Sequence, residues 1–600
     1  MKHISSKISL LLMCFMLVGA TAYAETYKGA VKKPAKKAEL ERCRRGQGSA
    51  ELSINNVRAR INTSGNMWYD GSTARYFVPK DGNSTAMFCA ALWIGGQDAN
   101  LQLRVAALKF GQSGDDFWPG PLTVDANASV DKAVCEQWDK HFKITKAEVE
   151  YFVDGFEYQG GTFVGVDASR ATEAIKTWPA HGDVSKNQSK FMAPFFDRNG
   201  DGVYSWEDGD YPYYDLSGEL CPAKQKEQWA ELGLPFIPTP TMESDTTNPN
   251  YGTGGVVKAY GGLLVDQVLK GDETIWWVFN DKGNAHTESG SENPIGLEIR
   301  AQAFAFAMND EINNMTFYSY EIINRSTFTL TNTYFSQWVD PDLGYAHDDY
   351  VGCDVERGLG YCYNGKATDG PGTGSYSGNP PAIGIDFFQG PYMDPDGRDN
   401  PKVDNIKVAD IYGEAALDPY RNEDGTVNHV LLTEDAHKFK DCWYPKSRDS
   451  IDACAINGVN FGNGIVDDER FGMRRFVYYN NDGSNNGEPD KATDYYNYLR
   501  GIWKDGSKMY YGGNGYNSGT GLDKSINADF MFPGNSDIWG WGTRTGGNED
   551  HGKNNVWTEQ TAGNAAADRR FMQSAGPFTL EPGAINYITV GIPFAQATSG

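Results

Sequence analysis

Between Leu297 and Ala303 the chain reads LEIRAQA, so that Leu297, Ile299, Ala301 and Ala303 alternate with Glu298, Arg300 and Gln302. A two-residue apolar period suits a strand that buries one face. A helix would spread the same residues around its whole circumference. The runs MTFYSYEIIN and TNTYFSQWVD, divided by RSTFTL, continue the pattern with aromatic and β-branched residues. TIWWVF at 274–279 reads as a buried strand. GPFTLEPGAINYITVGIPFA contains a Pro582–Gly583 turn followed by alternation through Ile588, Val590 and Ile592. Shorter strand-like runs, INNVRARI, ARYFVP and MFCAALWIGG, occur between Leu52 and Phe110. The expected class is mainly β and multidomain, with Ig-like or β-sandwich units, few helices, long Gly/Asn/Asp-rich insertions and calcium-binding loops.

The expected organisation begins with a signal peptide at 1–24. Lys2 and Lys7 precede an apolar run from Ile8 to Val18, and small residues at Ala22 and Ala24 mark the cleavage site. A flexible basic arm follows at 25–50, then a β-rich domain at 51–190. Thr145 and Glu148 are spaced as a capping box and predict a short helix near 145–156. A calcium-loop and connecting region spans 191–290. A β-sandwich occupies 291–600, with a long insertion at about 345–569. No stretch is long and apolar enough to read as a membrane-spanning segment.

A net charge of −25 disfavours nucleic acid and anionic lipid as partners and makes divalent cations natural counter-ions. Eight of the nine cysteines lie beyond the signal segment. An even number in an exported chain permits disulfides, and eight cysteines allow 105 pairings. Cys353 with Cys362 and Cys442 with Cys454 are the local candidates; buried free thiols are the alternative. No CxxC occurs.

The acidic loops carry the clearest chemistry. DRNGDGVYSWED places Asp197, Asn199 and Asp201 at positions 1, 3 and 5 of a twelve-residue calcium loop, with Gly202 at the sharp turn. Val203 offers a carbonyl, Ser205 acts through water and Asp208 closes the ring. Tyr204 departs from the usual small aliphatic, Asp208 is shorter than the usual Glu, and flanking Pro194, Gly209 and Pro212 disfavour a helix on either side. The expectation is an isolated structural loop rather than a sensor. Asp340, Asp342, Asp348 and Asp349, in DPDLGYAHDDYVGCD, form a weaker second cation site. Asp394, Asp396 and Asp399, and Asn463, Asp467, Asp468 and Glu469, mark two further acidic turns.

Catalytic patterns are sparse. The histidines form no HExxH and no G-x-S-x-G occurs. GLGYCYNGKA at 358–367 approaches a P-loop but carries Ala367 where magnesium binding needs Ser or Thr. Separated carboxylates leave glycoside hydrolysis open. Trp276 with Trp277, and Trp539 with Trp541, are candidate sugar platforms. Alternation sends Trp276 and Trp277 to opposite faces of one strand.

Many segments resemble a family of large, mostly uncharacterised exported proteins of Bacteroidota, typically cargo of the type IX secretion system. They include INNVRARINTSGNMWYD, ALWIGGQDANLQLRVAA, DFWPGPLT, DRNGDGVYSWEDGDYP, ETIWWVFND, MTFYSYEIINRS, WVDPDLGYAHDDYVGCD, NPPAIGIDFFQGP, ERFGMRRFVYYNND, TDYYNYLRGIW, ADFMFPG and DRRFMQSAGPFTLEPG. Together they cover most of 52–600, corresponding to the N-terminal part of such proteins, which usually end in a C-terminal sorting domain. The resemblance implies a cell-surface or released location and calcium loops. The functional expectation is a calcium-stabilised structural or adhesive protein with no catalytic activity evident, and with a surface glycan, a surface protein or the secretion machinery as partner. The alternatives are a carbohydrate-binding or glycoside-hydrolysing surface protein, or an accessory component of a secretion or gliding apparatus.

Overall fold

Two ten-stranded antiparallel sheets dominate the protein. The computed structural model describes residues 42–214, 216, 268–402, 405–435, 438–439, 457–537 and 556–597. The expected signal peptide, the basic arm up to residue 41, Cys221, Cys442, Cys454, Trp539 and Trp541 lie outside the described residues.

The first sheet runs Arg475–Asn480, Arg569–Leu580, Leu330–Asp340, Cys89–Gln97, Asn66–Met67, Arg58–Asn62, Tyr76–Phe77 and Thr85–Met87. Ser49–Leu52 and Leu103–Ala107 pair alongside. The second runs Asp349–Asp354, Leu359–Asn364, Ala382–Gln389, Ile585–Ile592, Thr316–Asn324, Leu297–Ala305, Glu273–Asn280 and Trp118–Pro119. Phe142–Thr145 and Phe594–Ala595 are added to its strands. Strands assigned by sequence to a domain at 51–190 and to a sandwich at 291–600 therefore interleave in the same sheets. The insertion at about 345–569 supplies three strands to the second sheet and one to the first, so it belongs to the sandwich.

One hydrophobic cluster joins the facing sides of the two sheets, as a sandwich requires. Trp93 and Trp338 stack within it at 6.0 Å. Polar tips cross the interface where a hydroxyl or indole needs a partner: Trp68 Nε1 donates to Tyr318 Oη at 2.8 Å, and Tyr320 Oη donates to Gln337 at 3.1 Å.

A second cluster covers the other face of the 273–280 strand with Ile144, Phe152, Trp178, Phe195, Tyr211 and Tyr214. This layer corrects the half-buried reading of Leu297–Ala305, since all nine residues of that strand are buried. Glu298 on its outward face accepts from Arg300 Nε at 3.0 Å, Arg325 Nη2 at 3.1 Å and the Leu122 N–H at 3.0 Å. Trp276 and Trp277 occupy opposite faces of their strand as alternation demands, one in each cluster, and each is 1% exposed.

The predicted helix is Lys146–Val153. Thr145 Oγ1 accepts from the Glu148 N–H, and Glu148 Oε2 accepts from the Thr145 N–H. Among the described residues a disulfide joins Cys43 to Cys135. Cys353 and Cys362, expected as a bridged pair, are both buried free thiols. Their strands pair Cys353 with Gly360 and Val351 with Cys362, so the two cysteines are diagonal neighbours. Diagonal positions lie about 7–8 Å apart, beyond ordinary disulfide reach.

Candidate metal centres

The 197–208 loop sits at the tip of a two-stranded ribbon in which Phe195 pairs with Pro212 and Phe196 with Tyr211. Asp197 is buried, and its carboxylate accepts from the N–H groups of Gly200 and Gly202, both at 2.7 Å. Those glycines have φ of 75° and 72°, a region a side chain would strain. Asn199 Oδ1 accepts from the Asp201 N–H at 3.0 Å, and Asp201 Oδ1 from the Val203 N–H at 2.7 Å. Asn199 and Asp201, both exposed, thus each brace the backbone two residues on. Ser205 caps the short 3-10 turn Trp206–Asp208. Asp208 itself is exposed.

Asp210, two residues past the twelve-residue frame, is the acid that sequence reading missed. It is fully buried and accepts from the Arg198 N–H at 2.8 Å and the Ser205 N–H at 2.9 Å. Burial pushes its carboxyl up to about 6, and the charges on Asp197 and Asp201 add to the shift. A second Asp directly after Gly209 and before the Tyr211–Pro212 strand was the available signal.

Asp340, Asp342 and Asp568 form the other centre. Among the described residues they are the only three acidic, His or Cys side chains whose ligand atoms all lie within 4.8 Å of one another. Asp340 ends its strand. The pairing of Val339 with Phe571 brings the end of this strand beside the start of the Arg569–Leu580 strand, and Asp342 and Asp568 lie just outside the two strands there.

Arg570 Nη2 lies 3.1 Å from Asp340 Oδ2, and its Nη1 donates to Asp568 Oδ1. Its Nε is 3.3 Å from Glu488, which also meets Lys109 at 2.9 Å; Lys109 in turn lies 3.3 Å from Glu288. Asp340 Oδ1 and Asp342 Oδ1 are buried and face no donor from outside the cluster, although the Asp340 carboxyl hydrogen-bonds Asp342. Burial and the neighbouring Asp342 hold the Asp340 carboxyl far above the usual range; burial, then Asp568, pushes Asp342 up to about 6.

Asp348 and Asp349, predicted with this pair, stand beside it. Asp349 Oδ2 accepts from the Leu343 N–H at 2.9 Å, and Lys366 lies 3.8 Å from Asp348. Burial raises both carboxyls, and Asp342 and Asp348 contribute to the shift of Asp349. Neither belongs to the 4.8 Å group. Asp568 carried no sequence signal, because it lies far downstream of Asp342 and meets it only through strand pairing.

The other acidic turns meet each other. Asp399 accepts from the N–H groups of Gly462 and Gly464 at 2.8 and 2.7 Å, and Asp467 Oδ1 from those of Asp396 and Gly397, both at 2.8 Å. Their carboxylates clasp the backbone of the facing loop. Glu469 accepts from the Asn400 N–H, and burial pushes its carboxyl up to about 7.

No helix among the described residues is long and apolar enough to cross a membrane. Comparison with protein-family models, with curated proteins and with solved structures found no match.

Proposed function

We propose that the chain is an exported structural or adhesive protein of the cell surface, stiffened by calcium, of the kind that type IX secretion delivers in Bacteroidota. The observation that carries this reading is the 197–208 loop. Acidic and amide side chains stand at alternate positions of a tight turn that begins at the buried Asp197, on a two-stranded ribbon of two residues a side. Calcium takes six to eight oxygens at about 2.3–2.6 Å, and such a turn supplies them from side chains, a carbonyl and water. Asp197, Asn199, Asp201, the Val203 carbonyl and Ser205 are the proposed ligands, with closure by Asp208 or by the buried Asp210. Binding to the folded loop alone adds stability by mass action. A surface glycan or a surface protein is the proposed partner.

The test is calorimetric calcium titration of the metal-stripped chain, with thermal melts in calcium and in chelator, beside Asp201→Ala. Binding and a raised melting temperature, both reduced in the variant, support the reading. Binding that Asp201→Ala leaves untouched removes the loop as its basis.

A further inference from the structure

We propose that Asp340, Asp342 and Asp568 hold one calcium ion that fastens together the two ends of the 343–567 segment. The inference shares with the proposed function only the premise that the protein meets calcium; it uses different residues.

Three observations converge. The three carboxylates offer oxygens within 4.8 Å of one another. A hard divalent cation, which holds its oxygen ligands at about 2.0–2.6 Å, brings donors that close together. Independently, Asp340 has a side chain only 1% exposed, and its Oδ1 meets no donor. A buried carboxylate oxygen without a donor is costly and calls for a proton or a cation.

The local charge leaves room for a cation. Asp340, Asp342, Asp568, Glu488 and Glu288 make five carboxylates against the two cations Arg570 and Lys109. Arg570 grips Asp340 Oδ2 and Asp568 Oδ1, which fixes both side chains while leaving Asp340 Oδ1 for a ligand. The all-oxygen, anionic donor set suits a hard divalent ion.

Position gives the ion its task. Asp340 and Asp342 stand where the chain leaves the 330–340 strand, and Asp568 where it rejoins the sheet at Arg569. One ion therefore bridges the departure and the return of the whole segment. Closing so long a loop costs entropy that a bridging ion offsets in the folded state.

The test compares the full chain with Asp342→Asn, Asp568→Asn and Asp201→Ala, using calcium alone as probe. Equilibrium dialysis counts bound ions; melts are recorded in calcium and in chelator. The latch predicts that Asp342→Asn and Asp568→Asn each lose one bound calcium, with at least a tenfold weaker site, while Asp201→Ala retains it. In chelator the Asn variants should melt at or above the wild type, because one unneutralised charge is gone. In calcium they should melt below it. That reversal separates a lost ligand from a damaged fold. Unchanged stoichiometry in both Asn variants, or loss of all binding in Asp201→Ala, overturns the latch. Loss of binding in the Asn variants alone, with Asp201→Ala silent, upholds it while refuting the loop.

Discussion

Replacing Cys43 and Cys135 together by Ser should destabilise the protein through its unfolded state. The bridge closes a loop of sequence separation 92, and chain-entropy accounting gives ~4.6 kcal/mol at 25 °C for a loop that long. The folded arm has other anchors. The Cys43 N–H donates to the Gly283 carbonyl at 3.0 Å, and the N–H groups of Gln47 and Gly48 each donate to the Asp139 carboxylate at 2.8 Å. The native arm should stay seated without the bridge. With an unfolding entropy of about 2.1 cal/mol/K per residue, a chain this size should lose roughly 4 °C in Tm. Urea unfolding followed by tryptophan fluorescence supplies the discriminating measurement. Freed of its cross-link, the unfolded chain expands, so the denaturant slope should rise as the midpoint falls. A variant that melts within about 1 °C of the wild type with an unchanged slope would refute the unfolded-state reasoning.

Four further outcomes are expected. Glu298→Gln should cost about 3–5 kcal/mol by differential scanning calorimetry, because it leaves two nearly buried guanidiniums, Arg300 and Arg325, without their shared carboxylate. Removing the Arg357–Asp354 pair, whose Arg side chain is 69% exposed, should barely move the melt. Glu469, about 7 when folded against an ordinary 4.5, binds its proton more tightly folded than unfolded. Its contribution is therefore present below about pH 4.5 and lost as pH rises to 7; Glu469→Gln should become relatively more stable across that window by about 1–2 kcal/mol after solvent screening, read from urea midpoints at pH 5 and 8. Thr145→Ala should cost about 1 kcal/mol and raise hydrogen exchange in the first turn of the 146–153 helix, because it removes the cap on the Glu148 N–H.

Local periodicity and local capping were legible in the sequence. The alternation at 297–303 and the Thr145–Glu148 box depend on residues within a few positions of one another, and both produced the expected elements. Relations set by distant pairing were not legible. Nothing near Cys43 names Cys135, and close spacing favoured Cys353 with Cys362, which strand register keeps diagonal. Burial of Glu298 and Arg300 depended on the layer built from residues 134–214, so a polar face that alternation alone would give to water became interior. Asp342 could be named as an acid in a turn, but its closeness to Asp568 required the 330–340 and 569–580 strands to be paired.

That strand order also sets a schedule for folding. The 89–97 strand waits for its neighbour at 330–340, and the 316–324 strand, central in its sheet, waits for 585–592. At ribosomal speeds of about 5–20 residues per second, each wait lasts on the order of ten seconds or longer. Contacts so distant in sequence form slowly even once both partners exist. During that interval the early strands have open edges and no sandwich to enter. A chain arranged this way leaves both sheets incomplete while it is being made and closes them only after residues 569–592 have emerged.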